Sequence, residues 1–377
     1  MLLDFSVRNL GPFKDSASIS ARAGSPDEHP ENVLESKSCE QGVLGAVLLY
    51  GPNGAGKSVI LKSLESLRAM LSGDPVTDHA NPFAFGPSDE CSEISVSVGA
   101  RFVPYTYSVA FSKEGVVSES LYQYATGRRS MVFLRSGGTY RYGKGCVRNR
   151  RTAESSVGSG GLFLPYAAAN DEGCAEALEE ILGIATADIG LEGSVSMLSE
   201  NEELKSVVLR ALRLSDFRIS DVVSSQGGAR IVREVDGERY ELPAELESDG
   251  TLRAIEVLTA VCRALIEGRA VIIDDLDLHL HTRVARWIVE QFSSERNPNS
   301  SQLFASVHDT ALMDLKSLVR RDQVYLSDKR ARDGSATISR LTEHGGIRKD
   351  ADLQKAYFGW KLESLPRISS SEQLLRR

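Results

Sequence analysis

The stretch Gly51-Pro52-Asn53-Gly54-Ala55-Gly56-Lys57-Ser58 limits this chain more than any other, because it reads G-x-x-x-x-G-K-S, the P-loop or Walker A pattern. An apolar run from Ala46 to Tyr50 precedes it, and apolar residues at helical spacing from Val59 to Leu71 follow it. The motif therefore lies on a strand–loop–helix unit. Gly51, Gly54 and Gly56 permit a tight turn whose N–H groups converge on phosphate oxygens at a helix N-terminus. Lys57 is then expected to pair with the β- and γ-phosphates and the Ser58 hydroxyl to ligate Mg²⁺. Gly51 to Ser58, with Val59 opening the helix, form the expected nucleotide segment, and ATP with Mg²⁺ its expected ligands.

A chain of 377 residues has room for a full α/β core and a second lobe. Its 41% hydrophobic and 25% charged residues are ordinary for a globular protein. No apolar run approaches the ~20 residues that span a bilayer, so no membrane partner is expected. The N-terminus alternates, with Leu3, Phe5 and Val7 against Asp4, Ser6 and Arg8, and reads as a strand instead of a signal peptide. Cys39, Cys91, Cys146, Cys174 and Cys262 are scattered and odd in number, which suits reduced thiols in a cytoplasmic protein. The formal net charge of −8 argues against a generally nucleic-acid-coating protein and is compatible with a local basic face.

In chain order, Leu2 to Asn9 and Ser16 to Ala21 read as a hairpin around Gly11-Pro12, and residues 24–42 as a polar surface loop. The P-loop helix ends at Gly73, a C′ glycine. After a loop, strands are expected over 94–98, 106–111, 116–124, 131–134 and 139–142, an antiparallel meander with glycine turns. Between Thr126 and Arg151 the chain carries Arg128, Arg129, Arg135, Arg141, Lys144, Arg148, Arg150 and Arg151 and no acid. That asymmetry reads either as a phosphate-tracking or acidic-partner surface, or as a solvated face paired with carboxylates elsewhere. Helices are expected over 174–182 and 202–214, then a hairpin over 230–242 turning at Asp236-Gly237.

The second half opens at Ser248-Asp249-Gly250-Thr251, before an apolar helix over 252–266. By itself a Ser-Asp-Gly there reads as a helix N-cap. Ala270 to Ile273 then forms a buried-strand run ending in Asp274-Asp275, the Walker B form. Asp274 is expected to hold Mg²⁺ and Asp275 to stand where a base orients the attacking water. A helix over 282–292 leads to a strand over 302–307 ending at His308, placed to reach a γ-phosphate.

These stations, in this order, resemble an ABC-type ATPase of the SMC/RecF/OLD group, and within it the compact bacterial AAA-type abortive-infection ATPases. The resemblance is carried by Leu3 to Phe13, the P-loop, Glu247 to Thr251, Ile273 to His281, Ser306 to Thr310, Leu318 to Tyr325 and Arg348 to Tyr357. It implies an α/β P-loop NTPase of the ABC/SMC-head type, its mixed sheet joined by an antiparallel β subdomain and a small helical lobe. The implied units are 1–75 (hairpin and P-loop half), 76–151 (inserted β region with the basic stretch), 152–242 (helical lobe and hairpin), 243–345 (second half) and 346–377 (tail). It further implies that Ser248 and Gly250 belong to a signature motif completing the site of a second, head-to-tail subunit. His308 would be the switch histidine, the Asp277 region the D-loop, and Lys57, Asp275 and His308 the catalytic set.

By the same resemblance the protein would be an ATPase, sensing or scaffolding for a separate effector such as a nuclease in anti-phage defence. Two alternatives stand beside that. One is a RecF- or SMC-like DNA-repair ATPase gripping DNA through Arg128, Arg129, Arg141, Lys144, Arg148, Arg150 and Arg151. The other is a scaffold that binds ATP without hydrolysing it. Asp275 stands where the group has Glu, about one C–C bond longer, so turnover is expected to be slow. Ser-Asp-Gly-Thr likewise departs from the usual Ser-Gly-Gly signature.

Overall fold

The computed structural model describes residues 1–358 apart from 88, 89, 101, 102, 126, 159, 226, 227 and 350. The expected tail beyond residue 358 lies outside the described residues. The described residues build two main sheets. Six strands form a mostly parallel sheet in the order Ala185–Thr186, Ala270–Ile273, Gln302–Ser306, Ala46–Tyr50, Val324–Lys329, Ala336–Arg340, and only the last runs antiparallel. Seven strands form an antiparallel sheet that unites the meander with the first hairpin, because Leu2–Arg8 pairs with both Ala17–Ser20 and Ser92–Ala100.

Alternation of side chains along a strand explains how the layers stack. In the P-loop strand Ala46, Leu48 and Tyr50 enter one core, while Val47 and Leu49 enter the other. The Val47 side holds the P-loop helix Lys57–Ser72, with Ile60, Leu64 and Leu67 buried between the two sheets. The Ala46 side holds the long helix Asp249–Glu267. A strand buried on both faces needs an unbroken apolar run, and Ala270–Ile273 and, within Gln302–Ser306, residues 303–305 supply it.

The helical lobe is present but divided. Leu164–Ala168 and Glu172–Leu182 pack on the antiparallel-sheet side, whereas Gly190–Glu200 and Glu202–Leu214 pack against Asp249–Glu267. The helix Gly190–Glu200 escaped the sequence reading because two glycines and three serines lower its propensity, and tertiary packing overrides that. The expected loop over 24–42 contains a hairpin, Val33–Ser36 with Cys39–Leu44, whose Leu34, Cys39 and Val43 bury against Leu3. The hairpin at Asp236-Gly237 is found as read, both turn residues having positive φ (53° and 83°), and gains a third strand, Asp221–Ser225. All five cysteines are free, and no helix among the described residues is long and apolar enough to cross a membrane.

Candidate nucleotide site

The parallel register sets the site. Ile273 pairs with Ala305 and Ser306 with Leu49, so the strands carrying the P-loop, Asp274-Asp275 and His308 end side by side. Ligands of open α/β sheets bind at such carboxyl ends. Gly51 (φ 148°) passes so close to the next strand that a Cβ there would stand 2.2 Å from the Ser327 carbonyl oxygen. Gly56 (φ 92°) precedes the helix, and a Cβ would strike the Phe13 ring at 2.5 Å. The Ser327 hydroxyl donates to the Ala55 carbonyl and braces the loop from behind.

Lys57 is only 5% exposed. Its Nζ donates to the loop's own carbonyls, Gly51 at 2.8 Å and Pro52 at 3.3 Å. Burial lowers its pKa, while Asp275, Asp274 and Asp277 act in the opposite sense. Asn53 and Gly54 are exposed, and Ser58 and Val59 half-buried at the first helical turn. The Val59 side chain faces Gly11.

Ser306 organises the acids. Its Oγ donates to Asp274 Oδ1 at 2.6 Å, lies 3.2 Å from Asp275 Oδ1, and accepts the Asp275 N–H at 2.7 Å. Asp275 takes the left-handed backbone region (φ 50°), a conformation costing about 1–3 kcal/mol for a residue other than glycine. The Ser306 contacts, with Leu276 N–H on the Ser306 carbonyl at 3.0 Å, hold it there. His308 Nε2 lies 3.3 Å from Asp275 Oδ1. Asp277 Oδ2 accepts the N–H groups of His308 (2.9 Å) and Asp309, tying the two loops together. Sequence reasoning missed the roles of Ser306 and Ser327; the available signal was a serine closing the buried run of each strand.

Ser248 is the N-cap of the helix Asp249–Glu267, its Oγ accepting from Thr251 N at 3.2 Å. Its hydrogen bonds among the described residues run only to Thr251 and Leu252, not to the P-loop. Gly250 has no space for a side chain, since a Cβ would meet the His279 carbonyl at 2.8 Å. A cleft of about 470 Å³ separates this helix from the acids, lined in part by Lys62, Asp188, Asp249, Arg253, Asp274 and Asp275. Lys62 Nζ bonds Asp188 at 2.9 Å and stands 4.0 Å from Asp274.

Residues 47–144 and 170–314, more than half of the chain, match the family described as "AAA domain, putative AbiEii toxin, Type IV TA system". The chain belongs to this AAA family. With an intact P-loop it is a nucleotide-binding ATPase. No curated protein matches the AAA chain. Solved structures similar to it include the SMC head domain from Thermotoga maritima, at 13% identity and TM-score 0.43, covering 90% of this chain and 98% of that one. They also include an SMC head bound to the C-terminal winged-helix domain of ScpA, at 12% identity and TM-score 0.49, covering 91% and 99%. An Smc head domain with an extended coiled coil, bound to the C-terminal domain of ScpA derived from Pyrococcus furiosus, aligns at 11% identity and TM-score 0.43, covering 96% and 98%.

In the AAA protein the basic stretch is an exposed surface. Arg128, Arg129, Arg141, Lys144, Arg148, Arg150 and Arg151 are all exposed. Two are partly committed: Arg129 lies 3.7 Å over Tyr122, and Arg150 covers Tyr142 while donating to the carbonyls of Val147, Gly143 and Cys146. Arg135 turns inward, 3.5 Å from the buried Glu119. Among the described residues the other five make no ion pair.

Proposed function

We propose that this AAA protein binds ATP with Mg²⁺ along Gly51 to Ser58 and Val59, and closes head to tail with a second copy. Each copy's Ser248 and Gly250 complete the other's site, and a separate effector, a nuclease or toxin, reads the nucleotide state in bacterial anti-phage defence. The observation that carries this reading is the convergence of Lys57, Asp274, Asp275 and His308 at three adjacent strand ends. A self-satisfied lysine, buried and held by two carbonyls, is a charge prepared for phosphate. Ser58 and Asp274 would hold Mg²⁺, which supplies neutralisation of phosphate charge. Asp275 orients the attacking water and His308 steadies Asp275 through the 3.3 Å contact. Among the described residues Ser248, at the start of its helix, makes no hydrogen bond to its own P-loop, which is why a second copy is invoked. The family description's toxin of a type IV toxin–antitoxin system agrees with a defence role.

Light scattering with and without Mg-ATP tests it. The wild type should pass from one copy to two and Lys57→Ala should not; no change in wild-type mass would sink the dimer. The five exposed, unpaired basic residues favour a second reading in which the same ATPase grips DNA. Salt-sensitive binding that weakens in Arg148→Ala and Arg151→Ala would carry it. ATP-driven assembly with no phosphate release would instead point to a scaffold.

A further inference from the structure

The two acids after the strand Ala270–Ile273 are joined by one peptide group, and that group is held at both ends. Its carbonyl, on Asp274, accepts from Arg253 Nη2 at 2.8 Å, and its N–H, on Asp275, donates to Ser306 Oγ at 2.7 Å. A peptide group is planar and turns as a unit, so the two bonds fix the ψ of Asp274 and the φ of Asp275 together. The φ of Asp275 is the left-handed 50°, which a residue other than glycine keeps only where its surroundings impose it. Ser306 comes from the neighbouring strand, whereas Arg253 comes from the helix Asp249–Glu267, little more than a turn beyond its N-cap Ser248.

The Arg253 side chain is mostly buried, with Nη1 3.5 Å from Glu256 Oε2 on the same helix. Its Nε is buried with no hydrogen-bond partner. Burying an unpaired donor costs free energy, and an arginine that only paired with an acid on its own helix could keep that donor in water. The reach to the Asp274 carbonyl accounts for the buried position. The same helix start meets the loop after the acids a second time, where Gly250 leaves no room for a Cβ beside the His279 carbonyl, 2.8 Å away.

We propose that Arg253 is a positioning residue: by holding the Asp274 carbonyl it locks the peptide between the two acids, and so keeps the Asp275 carboxylate where it meets His308. A charge-assisted hydrogen bond is of the size needed to hold a non-glycine residue in the left-handed region. Without it the peptide plane is free to turn, Asp275 relaxes toward negative φ, and its carboxylate leaves the 3.3 Å contact with His308. Arg253 touches no reacting atom and acts through the backbone alone. Because it stands on the helix that opens at Ser248, a displacement of that helix start reaches Asp275 through one side chain. The consequence for turnover rests on the ATPase reading above; the locked peptide does not.

Amide exchange on the nucleotide-free protein reads the lock. Arg253→Met keeps an unbranched stem and good helix propensity but removes the donors. Exchange at the Asp275 amide should quicken at least about tenfold, while amides of the distant strand Gly115–Gln123 stay within about twofold. Equal exchange at Asp275 in wild type and Arg253→Met would overturn the proposal, whatever the protein does with ATP. If Arg253→Met does not fold, Arg253→Lys carries the same comparison, with at least about threefold expected and no change overturning it. Turnover comes second: Arg253→Met should lower kcat about ten- to hundredfold with the KM for ATP held within about twofold. Wild-type kcat, or a loss confined to KM, would overturn the positioning role. Ser306→Ala frees the other end of the same peptide, so the double variant should lose far less than the product of the two single losses. Losses that simply multiply would overturn the shared peptide. A wild type that does not hydrolyse ATP would fail the ATPase reading and leave the exchange result to decide the lock.

Discussion

Asp275 concentrates the chemistry of this site in one residue. It has the shorter carboxylate, a left-handed backbone, a serine beneath it and His308 3.3 Å away. Lengthening the side chain by one carbon moves the carboxylate by roughly the distance to which rates are most sensitive. Asp275→Glu should raise phosphate release about tenfold, measured beside Lys57→Ala, which should abolish it. Gly51 is limited by space as much as by φ. A Cβ at 2.2 Å from the Ser327 oxygen cannot be relieved by a flexible side chain, since the obstacle is backbone. Gly51→Ala should lower stability by about 3 kcal/mol or more, read from denaturant midpoints.

Two carboxylates show how elements are locked together. Glu119, on the strand Gly115–Gln123, is fully buried and accepts from Phe163 N (2.6 Å), Leu164 N (2.8 Å) and the Tyr107 hydroxyl (2.9 Å). It anchors the start of the helix Leu164–Ala168 to the antiparallel sheet. Glu119→Ala strands these donors and Arg135, and should cost about 3–5 kcal/mol by calorimetry or denaturation. Glu28 ties the N-terminal connection to Arg321 at 2.8 Å. Burial alone would raise the pKa of Glu28, but hydrogen bonds from the Arg321 side chain and from backbone outweigh it and hold the carboxyl near about 2, against an ordinary 4.5. A depressed carboxyl stabilises the fold above its unfolded pKa, and that contribution disappears as pH falls from 4.5 through about 2. The stability gap between wild type and Glu28→Gln should therefore narrow when denaturation is followed from about pH 6 down to about pH 3.

At the scale of the whole molecule, the site has a P-loop and a signature-type helix start that do not hydrogen-bond each other. A head-to-tail pair makes a prediction that a self-contained monomer does not. Lys57→Ala and Ser248→Arg should each be inactive alone, yet mixing them restores one sound composite site per mixed dimer. Recovery of about a quarter of wild-type turnover in an equimolar mixture, allowing for random pairing, is the expected result. No recovery would remove the shared site.

Local chemistry made the candidate nucleotide site legible in the sequence. The glycines, lysine and serine of the P-loop, and an acidic pair after a buried run, form patterns among near neighbours, so Gly51 to Ser58, Asp274, Asp275 and His308 stand out as candidates from the sequence alone. The alternating strands of the meander and the Asp236-Gly237 turn were legible for the same reason. Other features depend on residues far apart in the chain. Ser306 means little until register places it beside Asp274, and Gly190–Glu200 becomes a helix only because Asp249–Glu267 lies beneath it. The division of the helices between two faces, and the meeting of Tyr50 and Tyr357, likewise come from packing. Periodicity along a chain says which side chains share a face; only the closed core says which faces meet.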